Sequence, residues 1–451
     1  MDMIKRKAYH ELLEWKNSGD SSKAILIKGA RRVGKTVLSE EFAKNEYRSH
    51  IVIDFSSPVP ETLDVFQKYG NRARLDEFFN QLSVLYGTPL YPRESIFVFD
   101  EVQMYPPARA LIKHLVADGR YDYIETGSLI SIKQNTEGIV LPSEEDELEL
   151  HPLDFEEFLA ALGDHVTVDF LRAAYETGKP LGNLLKHVND KLRLYMIIGG
   201  MPQAVSDYVQ NRNYDSVEKV KRGIIKLYRD DIAKYAKGYV AKATAIFDAI
   251  PAQLSHHDKK IKFSSLMGKG KRAEDYSDAI YWIGESMVGN LCHCTEEPDV
   301  FEGFATDADK VKCYMGDTGL LLTLAAGRNY LKSETYKSFV LGKLSVNKGM
   351  MTENIVAQML VMNGHPLCFY ETYADVGESR PRKYEVDFLL SDGSLTIPIE
   401  VKSGNARQHA SIDYFCRRYK KKSGKGIILT KGDCRETEEY RYLPIAMAMF
   451  L

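Results

Sequence analysis

Ala24-Ile25-Leu26-Ile27-Lys28-Gly29-Ala30-Arg31-Arg32-Val33-Gly34-Lys35-Thr36 decides the reading of this chain. A short apolar run of buried-strand type passes into an octet of the form G-x-x-x-x-G-K-[ST], and a helical pattern runs on from Lys35 to about Lys44. Glycine lets the backbone curl so that successive N–H groups, from Gly29 through Ala30, Arg31, Arg32, Val33 and Gly34 to the helix start near Val37, point at phosphate oxygens. The positive end of the helix dipole lies beside them. Lys35 is then placed to reach the β- and γ-phosphates of ATP, and the Thr36 hydroxyl to be a Mg²⁺ ligand.

The surrounding pattern agrees. Residues 1–20 look helical, with Gly19-Asp20-Ser21-Ser22 as a stop. Residues 51–55, 96–99 and 123–128 read as further strands, and 75–86 and 107–118 as helices. Strands alternating with helices predict a parallel sheet covered on both faces. Asp100-Glu101 ends the third strand, at the carboxyl edge where a doubly wound sheet binds its ligand. Asp100 is expected to hold Mg²⁺ through water, and Glu101 to orient or deprotonate the attacking water. Ser128, after the fourth strand, is placed to sense the γ-phosphate, although a Ser there also suits a plain turn cap. Arg229, in Leu227-Tyr228-Arg229-Asp230-Asp231, is the candidate for the arginine that stabilises transition-state charge; a salt bridge to a neighbouring aspartate is the competing explanation.

With 451 residues the chain calls for two or three domains, and 44% hydrophobic with 27% charged residues supplies each with a core. No apolar run approaches the ~20 residues that span a bilayer. Glu11 and Glu14 interrupt the N-terminal apolar positions, which argues against a signal peptide. Six cysteines in so long a chain read as reduced thiols, so the expected setting is cytoplasmic. Cys292-His293-Cys294 lacks zinc-site spacing, and His256-His257 has no matching ligand set. The net charge of −3 neither demands nor excludes nucleic acid. Glu144-Glu145-Asp146-Glu147-Leu148-Glu149 is expected to be a solvated loop. Lys259 to Arg272, and Arg417-Arg418-Tyr419-Lys420-Lys421-Lys422 with Lys425, are either solvated surface or a seat for a phosphate backbone.

Beyond His151 the texture becomes helical over 154–240, then mixed and partly basic over 241–330, consistent with a small helical module. From about 350 a compact α/β pattern appears: helix 352–363, strands 367–371, 384–390 and 395–402, helix 408–421 and strand 426–430. Asp387 lies in one apolar strand, and Glu400 and Lys402 share a face of the next, across a Ser-Asp-Gly turn. A hairpin that sets Asp387 opposite that pair makes a hard-cation site with a group able to activate water, and Glu353 on the preceding helix can add a carboxylate. A surface ion-pair ladder is the plainer alternative, against which the apolar flanks argue. In the helix 408–421, Phe415 and Tyr419 are expected to face the core and leave the basic residues outward.

Residues 22–240 resemble the AAA+-type ATPases of an archaeal and bacterial family in which a P-loop domain carries a C-terminal module of unknown function. The resemblance rests on GARRVGKT (29–36), VFDE (98–101), TGS (126–128), HPLDFEEFL (151–159), IGGMPQAV (198–205) and YRDDI (228–232), and continues through KCYMGDTGL (312–320). The C-terminal residues resemble the PD-(D/E)xK nuclease superfamily, without its leading proline, since Val386 precedes Asp387. On that resemblance Asp387 and Glu400 would bind Mg²⁺, Lys402 would assist the attacking water and Glu353 would support the metal. The implied architecture is an α/β P-loop core (1–150), a helical lid (151–240), a small helical, winged-helix-like module (241–330) and a restriction-endonuclease-like domain (331–451). The implied activity is ATP hydrolysis coupled to a domain that cuts or grips nucleic acid, DNA ahead of RNA, with room for a homo-oligomer. The alternative is an ATP-switched regulatory protein that binds nucleic acid or a protein partner without cleaving.

Overall fold

The computed structural model describes residues 4–19, 22–128, 142–256, 258–267, 273–298, 306–341, 348–374, 381–404 and 409–451. The chain divides into two compact units, Met1–His151 and Pro152–Leu451.

In the first unit β1 (Ala24–Lys28), β2 (Ser49–Asp54), β3 (Ser95–Asp100), β4 (Asp122–Gly127) and β5 (Glu145–Glu149) form one sheet in the order β2-β3-β4-β1-β5. Every pairing is parallel. β3 and β4 are buried along their whole length, as central strands of a covered sheet must be. One face carries an aromatic core in which Phe55, Phe66, Phe78, Phe97 and Phe99 pack with rings mostly edge to face. The helices Pro60–Tyr69, Leu75–Tyr86 and Pro106–Asp118 contribute to that core. Elsewhere in the unit Phe42, on the helix Lys35–Glu46, packs edge to face on Tyr9 of the helix Lys7–Asn17, with ring centroids 5.4 Å apart.

The acidic block expected as a solvated loop is instead β5, an edge strand on β1. Its charges are matched: Lys23 meets Asp146, Lys28 meets Glu147 and Glu149 at 2.6 and 3.1 Å, and Arg109 holds Glu145 at 2.9 Å. Leu148 and the Glu145 side chain turn inward, the latter onto the buried Arg109. Composition overstated the solvation because an edge strand tolerates charge on its open side.

The second unit is helical from Phe155 to Ser255, apart from short connections. Then come β6 (Gly289–Thr295), β7 (Thr306–Met315), β8 (Leu367–Ala374) and β9 (Arg382–Val386), a sheet of order β7-β6-β8-β9. β10 (Phe388–Asp392), β11 (Leu395–Val401), β12 (Gly426–Thr430), β13 (Arg435–Glu436) and β14 (Tyr440–Pro444) make a second sheet, β10-β11-β12-β14-β13. The helix Lys348–Met362 packs against strands of both sheets. The stretch 241–330, expected as a helical, winged-helix-like module, supplies β6 and β7, and β6 pairs in parallel with β8 from Cys292↔Leu367 to Thr295↔Tyr370. Strand pairing across such a sequence separation has no local signal, so it escapes a reading by periodicity.

Candidate functional site

The nucleotide loop joins β1 to the helix Lys35–Glu46. Gly34 stands at φ +100°, a left-handed conformation that costs any other residue, and so turns the chain into the helix. Lys35 is buried, and its ammonium donates to the carbonyls of Gly29 and Ala30 at 3.0 and 3.1 Å, held under the loop. Arg6, just ahead of the first helix, donates to Val33 O at 2.8 Å and His151 O at 2.7 Å and so braces the loop's outer turn. Nothing in the sequence pattern singled out Arg6.

Asp54 and Asp100 end neighbouring strands in register, and Glu101 follows at φ +52°. The Thr36 hydroxyl reaches both oxygens of Asp100, at 2.9 and 3.0 Å. β4 lies between the loop strand and the acid strand, and its Thr126 donates to Asp100 Oδ1 while accepting from the Glu101 N–H at 3.2 Å. Burial raises the Asp100 carboxyl above its usual range; the Thr126 and Thr36 hydroxyls work against that shift, and Glu101 and Asp54 add to it. Glu40 is raised too, by burial and then by Asp100 and Asp54. The Glu101 carboxylate receives Gln103 Nε2, and Ser128 Oγ at 3.4 Å. Ser128, read from the sequence as a γ-phosphate sensor or a turn cap, thus points at Glu101. Thr126 was missed, although it shares Ser128's strand face two residues earlier. The residues fit Mg²⁺: hydroxyl and carboxylate oxygens are hard donors, and repulsion among the acids favours a cation there.

In the second unit β10 and β11 pair antiparallel, with Phe388↔Ile399, which sets Asp387 opposite Glu400 at the end of the ladder. Asp387 sits in the break between β9 and β10 rather than within one continuous strand, and its Oδ2 accepts the Val401 N–H at 2.8 Å. Lys402 pairs with Glu400 Oε1 at 2.5 Å, while Glu400 Oε2 is buried with no hydrogen-bond partner. Burial, then Asp387, raises the Glu400 carboxyl, and Lys402 offsets this in part. Glu353 is buried, accepting from Tyr314 OH at 2.5 Å and pairing with Lys259 and, at 3.6 Å, with Lys312.

Lysines run through the whole cluster. Lys312, fully buried, meets Glu385 at 2.7 Å, and Lys383 meets the same carboxylate at 2.6 Å. Burial works against Glu385's charge, yet these two cations hold it down at about 2. Asp258, Glu371 and Glu385 bring carboxylate oxygens within 4.8 Å of one another, with Lys383 bonded to all three and Lys260 to the first two. A cavity of about 590 Å³ opens here, lined among others by His256, Lys259, Lys383, Glu385, Asp387 and Ser411. The oxygen donors suit a hard cation, and the Lys259 ammonium already stands on Glu353.

Two expectations change. Lys259 and Lys260, read as solvated or phosphate-facing, are partly buried and paired with acids; Gly268 to Arg272 of that stretch, and His257, lie outside the described residues. Arg229 is held by Asp248 at 2.8 Å, rather than by an aspartate of its own motif. In the helix Ala410–Arg418 Phe415 is buried and packs on Tyr419, while Arg417, Arg418, Lys420, Lys421 and Lys422 are exposed. Cys292 and Cys294 are buried in β6, their thiols raised by that burial. Among the described residues no helix is long and apolar enough to cross a membrane.

Comparison with known proteins agrees with the first unit. An AAA domain model matches residues 21–159. Two domains of unknown function, DUF8612 and DUF4143, match 189–331 and 348–448. With the sheet order and the loop geometry, this makes the first unit a P-loop ATPase domain of the AAA type. No curated protein matches the chain in sequence. Among solved structures, PCH-2 of C. elegans is 12% identical over 37% of this chain and 47% of its own, with a TM-score of 0.21. The Pif1 helicase from Candida albicans is 14% identical over 38% and 48%, at 0.23. Cdc6p from Pyrobaculum aerophilum is 11% identical over 75% and 96%, at 0.25. The chain spans about half the length of the first two. Likenesses this loose say nothing of what this chain acts on.

Proposed function

We propose that this protein is an ATP-hydrolysing switch whose C-terminal, restriction-endonuclease-like domain acts on nucleic acid, DNA ahead of RNA. The observation that carries the ATPase half is the Thr36–Asp100–Thr126–Glu101 chain of hydrogen bonds at the mouth of the nucleotide loop. Lys35 leaves its two carbonyls to meet the β- and γ-phosphates, while the loop N–H groups cradle them. Thr36, and Asp100 through water, would hold Mg²⁺, which would supply charge neutralisation at the phosphates. Glu101, steadied by Ser128 and Gln103, orients the attacking water and takes its proton. Arg229 serves as the transition-state arginine only if it exchanges Asp248 for the nucleotide. Gripping of the nucleic acid is assigned to the exposed Arg417, Arg418 and Lys420 to Lys422. Cutting is assigned to Asp387, Glu400 and Lys402, with Glu353 behind them.

The test is cleavage and binding of labelled single- and double-stranded DNA and RNA, with Mg²⁺ or Mn²⁺, with and without ATP. Asp387→Ala and Lys402→Ala run alongside. Product that disappears in both variants supports a nuclease. Salt-sensitive binding with no product in any condition, and ATP turnover intact, moves the protein to a regulatory switch that grips without cutting; this second reading is favoured by the lysines already paired with the acids. Neither binding nor cleavage sinks the nucleic-acid assignment.

A further inference from the structure

We propose that Lys259 is a built-in cation that closes the acid cluster of the C-terminal domain to divalent metal, so that the cluster binds metal only when the segment 258–262 draws this side chain out. The inference rests on reading Asp387 and Glu400 as a cation site and adds what controls it.

Three observations converge on Lys259. First, its ammonium pairs with Glu353, and Asp387 is the foremost of the acidic groups acting on it, ahead of Glu385 and Glu400. It therefore stands where those carboxylates converge. Second, the placement is held from both sides: Lys259 sits at φ +48°, a conformation that a residue with a long side chain rarely takes, while Lys260 bridges to Lys312 and the Ile261 N–H donates to Val311 O at 2.8 Å. The segment is thus pinned along β7 in a strained turn that aims one lysine inward. Third, the inner charges cancel. Glu353, Glu385 and Glu400 pair with Lys259, Lys312, Lys383 and Lys402, and Asp387 acts on Lys259 and Lys312, four carboxylates with four ammoniums; Asp258 and Glu371 beside them share Lys383 and Lys260.

A neutral cluster has little pull on a further double charge. Removing Lys259 takes one positive charge from the cluster and leaves Glu353 with Tyr314 and, at 3.6 Å, Lys312. Glu400 Oε2, more than nine-tenths buried and without a partner, is then available as a ligand atom. Lys312 and Lys383 do not play the same part. Lys383 is held by Glu385, Glu371 and Asp258, and Lys312 chiefly by Glu385 at 2.7 Å with Glu353 farther off at 3.6 Å, while Lys402 is the residue assigned to activate water. The cavity of about 590 Å³ that Lys259 and Asp387 both line supplies the path for an entering ion.

The experiment counts bound Mn²⁺ from the loss of the free-ion electron paramagnetic resonance signal. It uses the full chain without nucleotide, in the wild type, Lys259→Met, Asp387→Asn and the double variant. Binding at the nucleotide loop is common to all four, so the Asp387-dependent part isolates the C-terminal cluster. The expected result is Asp387-dependent binding absent or at least ~10-fold weaker in the wild type than in Lys259→Met, where one site appears and is lost in the double variant. If Lys259→Met does not fold, Lys259→Gln keeps a hydrogen bond to Glu353 without the charge and carries the same comparison. Asp387-dependent binding of equal strength in the wild type overturns the closure and leaves the metal-site reading standing. No Asp387-dependent binding in any chain overturns both.

Discussion

The carboxylate of Asp317 accepts a hydrogen bond of 2.6 Å from the backbone N–H of Gly200, 117 residues earlier. Its other oxygen caps the helix Thr318–Ala326 through Leu320 N–H at 2.8 Å. Gly199 approaches so closely that a Cβ there would lie 2.3 Å from Asp317 Oδ1, and it stands at φ +85°. The two signatures IGGMP and MGDTG, which carried no chemistry as sequence, are thus the two halves of one joint within the second unit. Asp317→Ala leaves two buried N–H groups without an acceptor and is expected to destabilise the fold by about 2–4 kcal/mol, with Asp317→Asn less damaging. Urea denaturation of the pure proteins measures this; a loss below ~0.5 kcal/mol in the alanine variant contradicts it.

Lys221 ties the same joint from the other side. Its ammonium, fully buried, donates to Ile197 O at 2.7 Å and Gly319 O at 3.1 Å. Burial pulls the group down from 10.5 to about 8; Glu218 and Asp317 resist that pull, Arg222 adds to it, and the Tyr336 ring lies 4.9 Å away. Between these values the unfolded chain holds the proton and the folded one does not, so this residue makes stability rise with pH from about 8 to 10.5. Buried thiols that titrate in the same range act oppositely, so the comparison must be between variants. Relative to Lys221→Met, the wild type is expected to gain on the order of 1–3 kcal/mol across the window. Parallel stability curves for the two proteins count against it.

At the nucleotide site the roles separate by kinetics. Lys35→Ala is expected to abolish ATP binding or turnover. Glu101→Gln keeps nucleotide affinity and lowers kcat by ~100-fold or more, the span of general base catalysis. Ser128→Ala, acting through Glu101, lowers kcat by ~10-fold. Nucleotide affinity measured beside phosphate release tells these apart, and undiminished turnover in Lys35→Ala sinks the assignment.

Arg6→Ala removes the bonds to Val33 O in the loop and to His151 O, and Arg6 itself is assigned no part in the chemistry. KM for ATP is expected to rise several-fold with kcat nearly unchanged, and stability to fall by about 1–2 kcal/mol. Equal losses of kcat and kcat/KM would instead place Arg6 in the transition state.

Local patterning was enough to place the loop and its strand, because the motif needs only adjacent residues: a buried strand, a glycine curl and a helix start. The acid pair at the end of β3 and the Asp387–Glu400–Lys402 group were legible for the same reason, since apolar strands broken by charges stand out. Whatever depends on distant chain segments stayed hidden. Thr126 bridges Asp100 and Glu101 only because β4 lies between the loop strand and the acid strand, and β5 becomes a strand only where Lys23, Lys28 and Arg109 can neutralise it. Lys259 reads as one cation in a basic run until β7 pins its segment and turns it onto Glu353. The sequence by itself determined the P-loop domain, the residues of its loop and the identity of the C-terminal acids. Beyond the Glu400–Lys402 pair on one strand face, tertiary structure alone decided which lysines those acids meet, because an ion pair formed across the fold leaves no periodic trace in the chain.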